Sequence, residues 1–291
     1  LDWKPNWFLN KMLCFLIKSV LFVYKPIFLS TVLFNSQAWS NITTTQLLQL
    51  QTVQLKYFKR TMQVPNSCPN AFTFLELGIL PIKYEIHKRQ LMFLHHLVNL
   101  PPDQPMFQIL QRQKQLLFEK NWYNNIVLLL NRYSLNEMEL SVISKSKWKA
   151  IVYTAVSAHA FDELRAECRG KTKTFSLRYN KFKCQDYVKV WKAFDARLMF
   201  RIRSKTINCR NNHHSGHEDI TCRRCKTSIE TQSHIINCPE ITYDDDQHII
   251  SLQHCLSDDP SKFNVDLLPI VRRRLDKFYE TIVGDGYGCP L

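Results

Sequence analysis

Apolar residues recur along most of this chain three and four positions apart, the spacing of one helix face, and strict alternation of strand type is scarce. Residues 9–25 read as a helix ending near Pro26, with Lys11, Lys18 and Lys25 seven apart on one side. Thr43, Thr44 or Thr45 can cap a second helix carrying Leu48, Leu55, Phe58 and Met62, which the run from Val64 to Ser67 breaks. A short helix from Asn70 to Leu77 should stop at Gly78, in the left-handed conformation of a C-cap. Pro81 suits the first turn of the next helix, whose Ile82, Ile86, Phe93 and Leu97 share a side and which ends before Pro101. After a loop over 101–105, further helical stretches hold Trp122, Tyr123, Trp148 and Tyr153 as core or docking aromatics. A basic linker over Gly170–Thr174 leads to a last long helix, from Gln185 to Ile207, with Tyr187, Trp191, Phe194, Leu198 and Ile202 on its apolar side.

With only 6 glycines in 291 residues, turn-rich β architectures are poorly supplied, so the expected class is mainly α. The expected domains are a helical one over 1–168 and a second over 169–291, comprising the basic helix, a metal module and an acidic tail. The formal charge is +14, concentrated between Lys171 and Cys225, where 14 Lys or Arg face 4 Asp or Glu; from Pro239 onward 10 acidic residues outnumber 5 basic ones. A basic block inside a globular chain favours a polyanion, nucleic acid first and a membrane surface second. On the long helix Lys189, Arg197, Arg201 and Lys205 fall in steps of four or eight, a stripe suited to a phosphate backbone. The apolar stretch from Trp7 to Phe34 is interrupted by lysine every seventh residue, which argues against a membrane span. Ten scattered cysteines do not make a secreted disulfide scaffold, and a reducing cytosol or nucleus is expected.

Three cysteines do cluster. Cys222 and Cys225, then His234 and Cys238, give the spacing C-x2-C-x8-H-x3-C. Thiolate and imidazole are zinc ligands, a Cys-x2-Cys knuckle chelates from one tight turn, and His234 and Cys238 four apart can close a tetrahedron. Four protein ligands leave no open position, so the expected role of the zinc is structural. Cys209, His213, His214 and His217 lie just upstream as alternative donors. Arg223 and Arg224, between the two knuckle cysteines, would project outward from a rigid turn toward nucleic acid. The run Tyr243 to Asp246 has the look of a polymerase metal-binding motif, but it directly follows the zinc module and reads better as a solvated acidic loop. No phosphate-binding glycine loop or nucleophile elbow occurs. His95-His96 lies on an apolar helix as a core pair.

Three segments resemble the thumb and C-terminal region of non-LTR (LINE-type) retrotransposon reverse transcriptases. They are Val23 to Trp39, then Val64-Pro65 followed by Pro69-Asn70 and Leu75 to Leu97, and finally the basic run Ala196 to Arg203 leading into the Cys-Cys-His-Cys module. Their order and spacing agree with that family over most of 20–240. The resemblance implies a helical thumb that grips template and primer, and a zinc module that binds RNA or DNA during target-primed synthesis. It also implies a catalytic palm upstream of Leu1, so that this chain alone would neither polymerise nor cut. The alternative expectation is a decayed or domesticated remnant whose helical body binds a protein.

Overall fold

The computed structural model describes residues 17–40, 42–116, 120–212, 219–241, 249–252, 255 and 267–280. The fold is mainly α, and among the described residues the only β pairing is a bridge between Thr221 and Ile229.

Helix α1 (Ile17–Val23) does not stop at Pro26. It widens into a π-helical turn, Tyr24–Leu29, that carries the chain past the proline. Proline lacks the N–H a regular helix needs at that point, and a wider turn removes the demand. Helix α2 (Thr44–Thr61) starts at Thr43 in a complete capping box with Gln46. Leu55, Phe58 and Met62 are buried as expected, whereas Leu48 is exposed, so the apolar face is narrower than its heptad-like spacing implies. Helix α3 (Asn70–Leu77) ends at Gly78 with φ +59, as the C-cap reading requires. A Cβ there would lie 2.1 Å from the Cys184 backbone nitrogen, so glycine is demanded by close approach as well as by conformation.

Helix α4 (Ile82–Val98) has no capping side chain at Pro81. The buried amide of Gln54, from α2, replaces it: its oxygen accepts from the Ile82 N–H (2.9 Å) and its nitrogen donates to the Leu80 carbonyl (2.9 Å). Helices α5 (Pro105–Gln115), α6 (Trp122–Arg132) and α7 (Lys145–Arg169) pack with α4 around a core of Leu91, Leu94, Ile126, Leu130, Trp148 and Val152. Trp122, Tyr123 and Trp148 are buried, but Tyr153 stands half in water under the Lys88 ammonium. His95 is a satisfied core residue, held by the Ile143 carbonyl at 2.8 Å and stacked on Trp148, while His96 is exposed.

A second and larger core joins α1–α3 and the end of α7 to everything beyond, including Phe200, Ile235, Val271 and Phe278. Packing therefore continues across the 168/169 boundary between the expected domains. The helix expected over 185–207 is two helices, α8 (Asp186–Val190) and α9 (Ala193–Arg203), separated by Trp191 in extended conformation. The reason is one buried carboxylate. Glu76 of α3 accepts from Tyr187 (2.8 Å) and Tyr179 (2.6 Å) and pairs with Arg203 (2.5 Å), and both members of that ion pair are fully buried. Along a straight helix residues 187 and 203 would sit about 24 Å apart, and only a fold-back lets both reach the same oxygen.

Candidate metal centre

The break at Trp191 dismantles the expected basic stripe, and local contacts occupy most of its members. Lys189 lies on α8 beside Asp186 (3.5 Å), and Lys205 falls past the end of α9, with φ +50. Arg197 is buried and donates to the Thr61 carbonyl at 2.9 Å; Arg201 donates twice to Gln63, at 2.9 and 2.6 Å. These two arginines tie α9 to the end of α2, whose last carbonyls lack helical partners.

The cysteine-histidine module follows. A tight turn at 222–228 is closed by the Cys222 N–H on the Ser228 carbonyl (2.7 Å) and by Lys226 in the left-handed conformation, φ +56. The Arg224 N–H points at the Cys222 sulfur (3.4 Å), the knuckle arrangement that steadies a thiolate. Helix α10 (Gln232–Ile236), capped by Thr231, presents His234, and its neighbours Ile235 and Ile236 anchor it in the large core. Cys238 comes just after the helix C-cap at Asn237, one residue outside helix α10.

All four donor atoms lie within 4.8 Å of one another. The Cys222 and Cys238 sulfurs are 3.8 Å apart, and the Cys225 sulfur is 3.3 Å from His234 Nε2. A tetrahedral ion bonded to sulfur at about 2.3 Å and nitrogen at about 2.0 Å has edges of about 3.8 Å and about 3.5 Å. The donor set therefore fits a metal ion and can hold one. Its electrostatics agree. Burial opposes charge on Cys225, but hydrogen bonds from Thr227 and the Ser228 backbone outweigh it and lower the thiol to about 6. Burial, reinforced by the other two sulfurs, pushes Cys238 up to about 12. A bound divalent cation would favour the thiolate form of its sulfur ligands.

Among the described residues Cys209 does not join this group; it is buried nearby as a thiol raised to about 11, chiefly by burial. His213, His214, His217 and the Tyr243–Asp246 run lie outside the described residues.

Arg223 and Arg224 do not project outward. Arg223 folds onto the fully buried carboxylate of Glu230 (2.7 Å) and faces the Phe278 ring, and Arg224 reaches the Lys277 carbonyl (3.3 Å). Glu230 also accepts from the backbone N–H groups of Arg210 and Arg223, both at 2.9 Å, so it staples the two sides of the knuckle. Burial alone would raise Glu230, but Arg223 outweighs it and holds the carboxyl below its ordinary value. Nothing in the local sequence marks this glutamate, since an acid between Ile229 and Thr231 in a loop reads as solvated. Helix α11 (Leu267–Glu280) was legible and missed: within the stretch expected as an acidic tail, Leu268, Val271, Leu275 and Phe278 recur at helical spacing. Arg274 of α11 bonds the Asn237 side chain (3.1 Å), clamping the turn between His234 and Cys238. No protein-family model, no curated protein and no solved structure matches this chain.

Proposed function

We propose that the chain is a nucleic-acid-binding piece of a non-LTR reverse transcriptase, with a structural zinc ion held by Cys222, Cys225, His234 and Cys238. The observation that carries this reading is the convergence of those four donors at tetrahedral spacing, in a segment flanked by the chain's most basic stretch. Three sulfurs and one imidazole favour zinc over hard, oxygen-seeking cations, and full protein ligation leaves no site for a reacting water. The ion would fix the knuckle and, through α10 and α11, the surface beside it. Its partner is RNA or DNA, and polymerisation belongs to a palm outside this chain. The test has two parts. Elemental analysis of reduced protein should find one zinc per chain, and the zinc-loaded chain should bind nucleic acid with affinity that falls as salt rises. Protein free of zinc, or with no salt-dependent binding, would remove this reading.

A second reading has its own observation. A groove of about 610 Å³ lies beside α2, lined by Trp39, Ile42, Leu50 and Val53. Such a groove suits a remnant whose helical body binds a protein. Competition for the chain by apolar peptides, with no nucleic-acid binding, would favour it.

A further inference from the structure

We propose that the loop joining α7 to α8, residues 170–185, is a surface for single-stranded nucleic acid. Phe175 is its stacking platform, and Lys171, Arg178 and Lys181 are its phosphate contacts. This rests on the reading that nucleic acid is the ligand, and adds where and in what form it is held.

The loop carries five cations, Lys171, Lys173, Arg178, Lys181 and Lys183, and no Asp or Glu. The next acid along the chain, Asp186, already faces Lys183 (3.3 Å) and Lys189 (3.5 Å). The loop has almost no regular structure, yet it is pinned at alternate points. Thr174 is buried and donates to the Cys168 carbonyl (2.9 Å); Leu177 is buried; Tyr179 is buried against Glu76. Between and on either side of the pins, Lys171, Phe175, Arg178 and Lys181 all face water. Their exposure is therefore imposed by the core beneath them.

Phe175 is the informative member. Its ring is 61% exposed, and the bond from its N–H to the Lys171 carbonyl (2.9 Å) keeps it one turn from a cation. Lys205, just past α9, places its ammonium 5.6 Å from the ring centroid. An aromatic face flanked by cations is what a flexible strand needs: a ring for one base and positive charge for the phosphates on either side. A duplex buries its base faces in its own stack, so the ring offers it nothing, whereas an unpaired base has a face to give. A purely electrostatic surface would leave Phe175 without a role.

The test uses the full, zinc-loaded chain and fluorescence anisotropy with three probes of roughly 16 nucleotides: oligothymidylate, oligouridylate and a mixed-sequence duplex. Phe175→Ala should weaken single-strand binding about tenfold and leave the duplex unchanged. Phe175→Trp should retain or improve it. Joint replacement of Lys171, Arg178 and Lys181 by Ala should lower the log–log salt slope on single strands by about 2. The two single-stranded arms show whether ribose or deoxyribose is preferred. All four side chains are exposed, so thermal melts of the variants should match the parent. If the parent binds but Phe175→Ala and the triple Ala variant bind single strands as well as it does, or if Phe175→Ala weakens duplex and single strand alike, this inference fails while the functional reading stands. If the parent binds none of the three probes, the functional reading fails and takes the inference with it.

Discussion

The two cores differ in what holds them. The smaller, around α4–α7, is a set of consecutive helices packed through Leu, Ile and Trp side chains. The larger reaches from Ile17 to Phe278 and has ionised groups at its centre: Glu76 with Arg203, and Glu230 with Arg223 beside the metal ligands. Dispersion and desolvation of apolar surface sustain the first, and tolerate changes of shape by degrees. The second depends on pairings that fail all at once when one partner is removed, because the other charge is left buried.

Glu76→Gln is the sharpest way to break the contrast. It strands the Arg203 guanidinium with neutral partners and should cost about 3–5 kcal/mol. In hydrogen exchange, protection should fall across α1–α3 and α8–α11 while α6 and the first half of α7 keep theirs. Equal loss in both regions would mean that the cores melt as one unit. Cys225→Ser should act over a smaller range. Zinc binding would drop well below one per chain, and residues 219–241 and α11 should lose protection, since a structural site's binding energy is also folding energy. Protection unchanged in the variant would show that Glu230 and Arg274 hold the module without the ion.

Glu163 should give the smallest effect. It sits at the rim of the smaller core, half exposed, accepting from Lys83 (2.5 Å) and from the Tyr84 hydroxyl. Burial raises its pKa, but those two hydrogen bonds outweigh burial and hold it below the ordinary value. Its stabilisation is therefore present above the unfolded value of about 4.3 and disappears as pH falls through the lower folded value. Solvent screening limits it to under about 1 kcal/mol. Glu163→Gln should lower stability at neutral pH by that amount, flatten the acid limb of the melting curve, and match the parent at low pH, where the parent carboxyl is protonated.

Local signals in the sequence were reliable wherever the cause was local. The Thr43 cap, the Gly78 stop, the burial of Trp122 and Trp148 and the four metal donors all follow from neighbours in the chain. Besides α11 and the passage through Pro26, whose signals are local, the failures have causes far along the chain. The 185–207 segment has a continuous helical pattern, and it breaks because Tyr187 and Arg203 must both reach Glu76. Arg197, Arg201 and Arg223 look like solvent-facing cations until the carbonyls and the carboxylate they serve are in place. Charge counted along a sequence does not separate cations that bind a partner from cations that tie the fold together.

The Glu76–Arg203 pair also sets a timetable. The two residues are 127 positions apart, and translation at about 5–20 residues per second separates their appearance by about 6–25 s. During that interval α3, with its Ala, Phe and Leu faces ready to bury, carries a carboxylate that has no cation and keeps its water. The nascent helix can form, but its docking is deferred until the guanidinium arrives. An ion pair that is costly to bury thus acts as a check against premature collapse, releasing the larger core only when both ends of it exist.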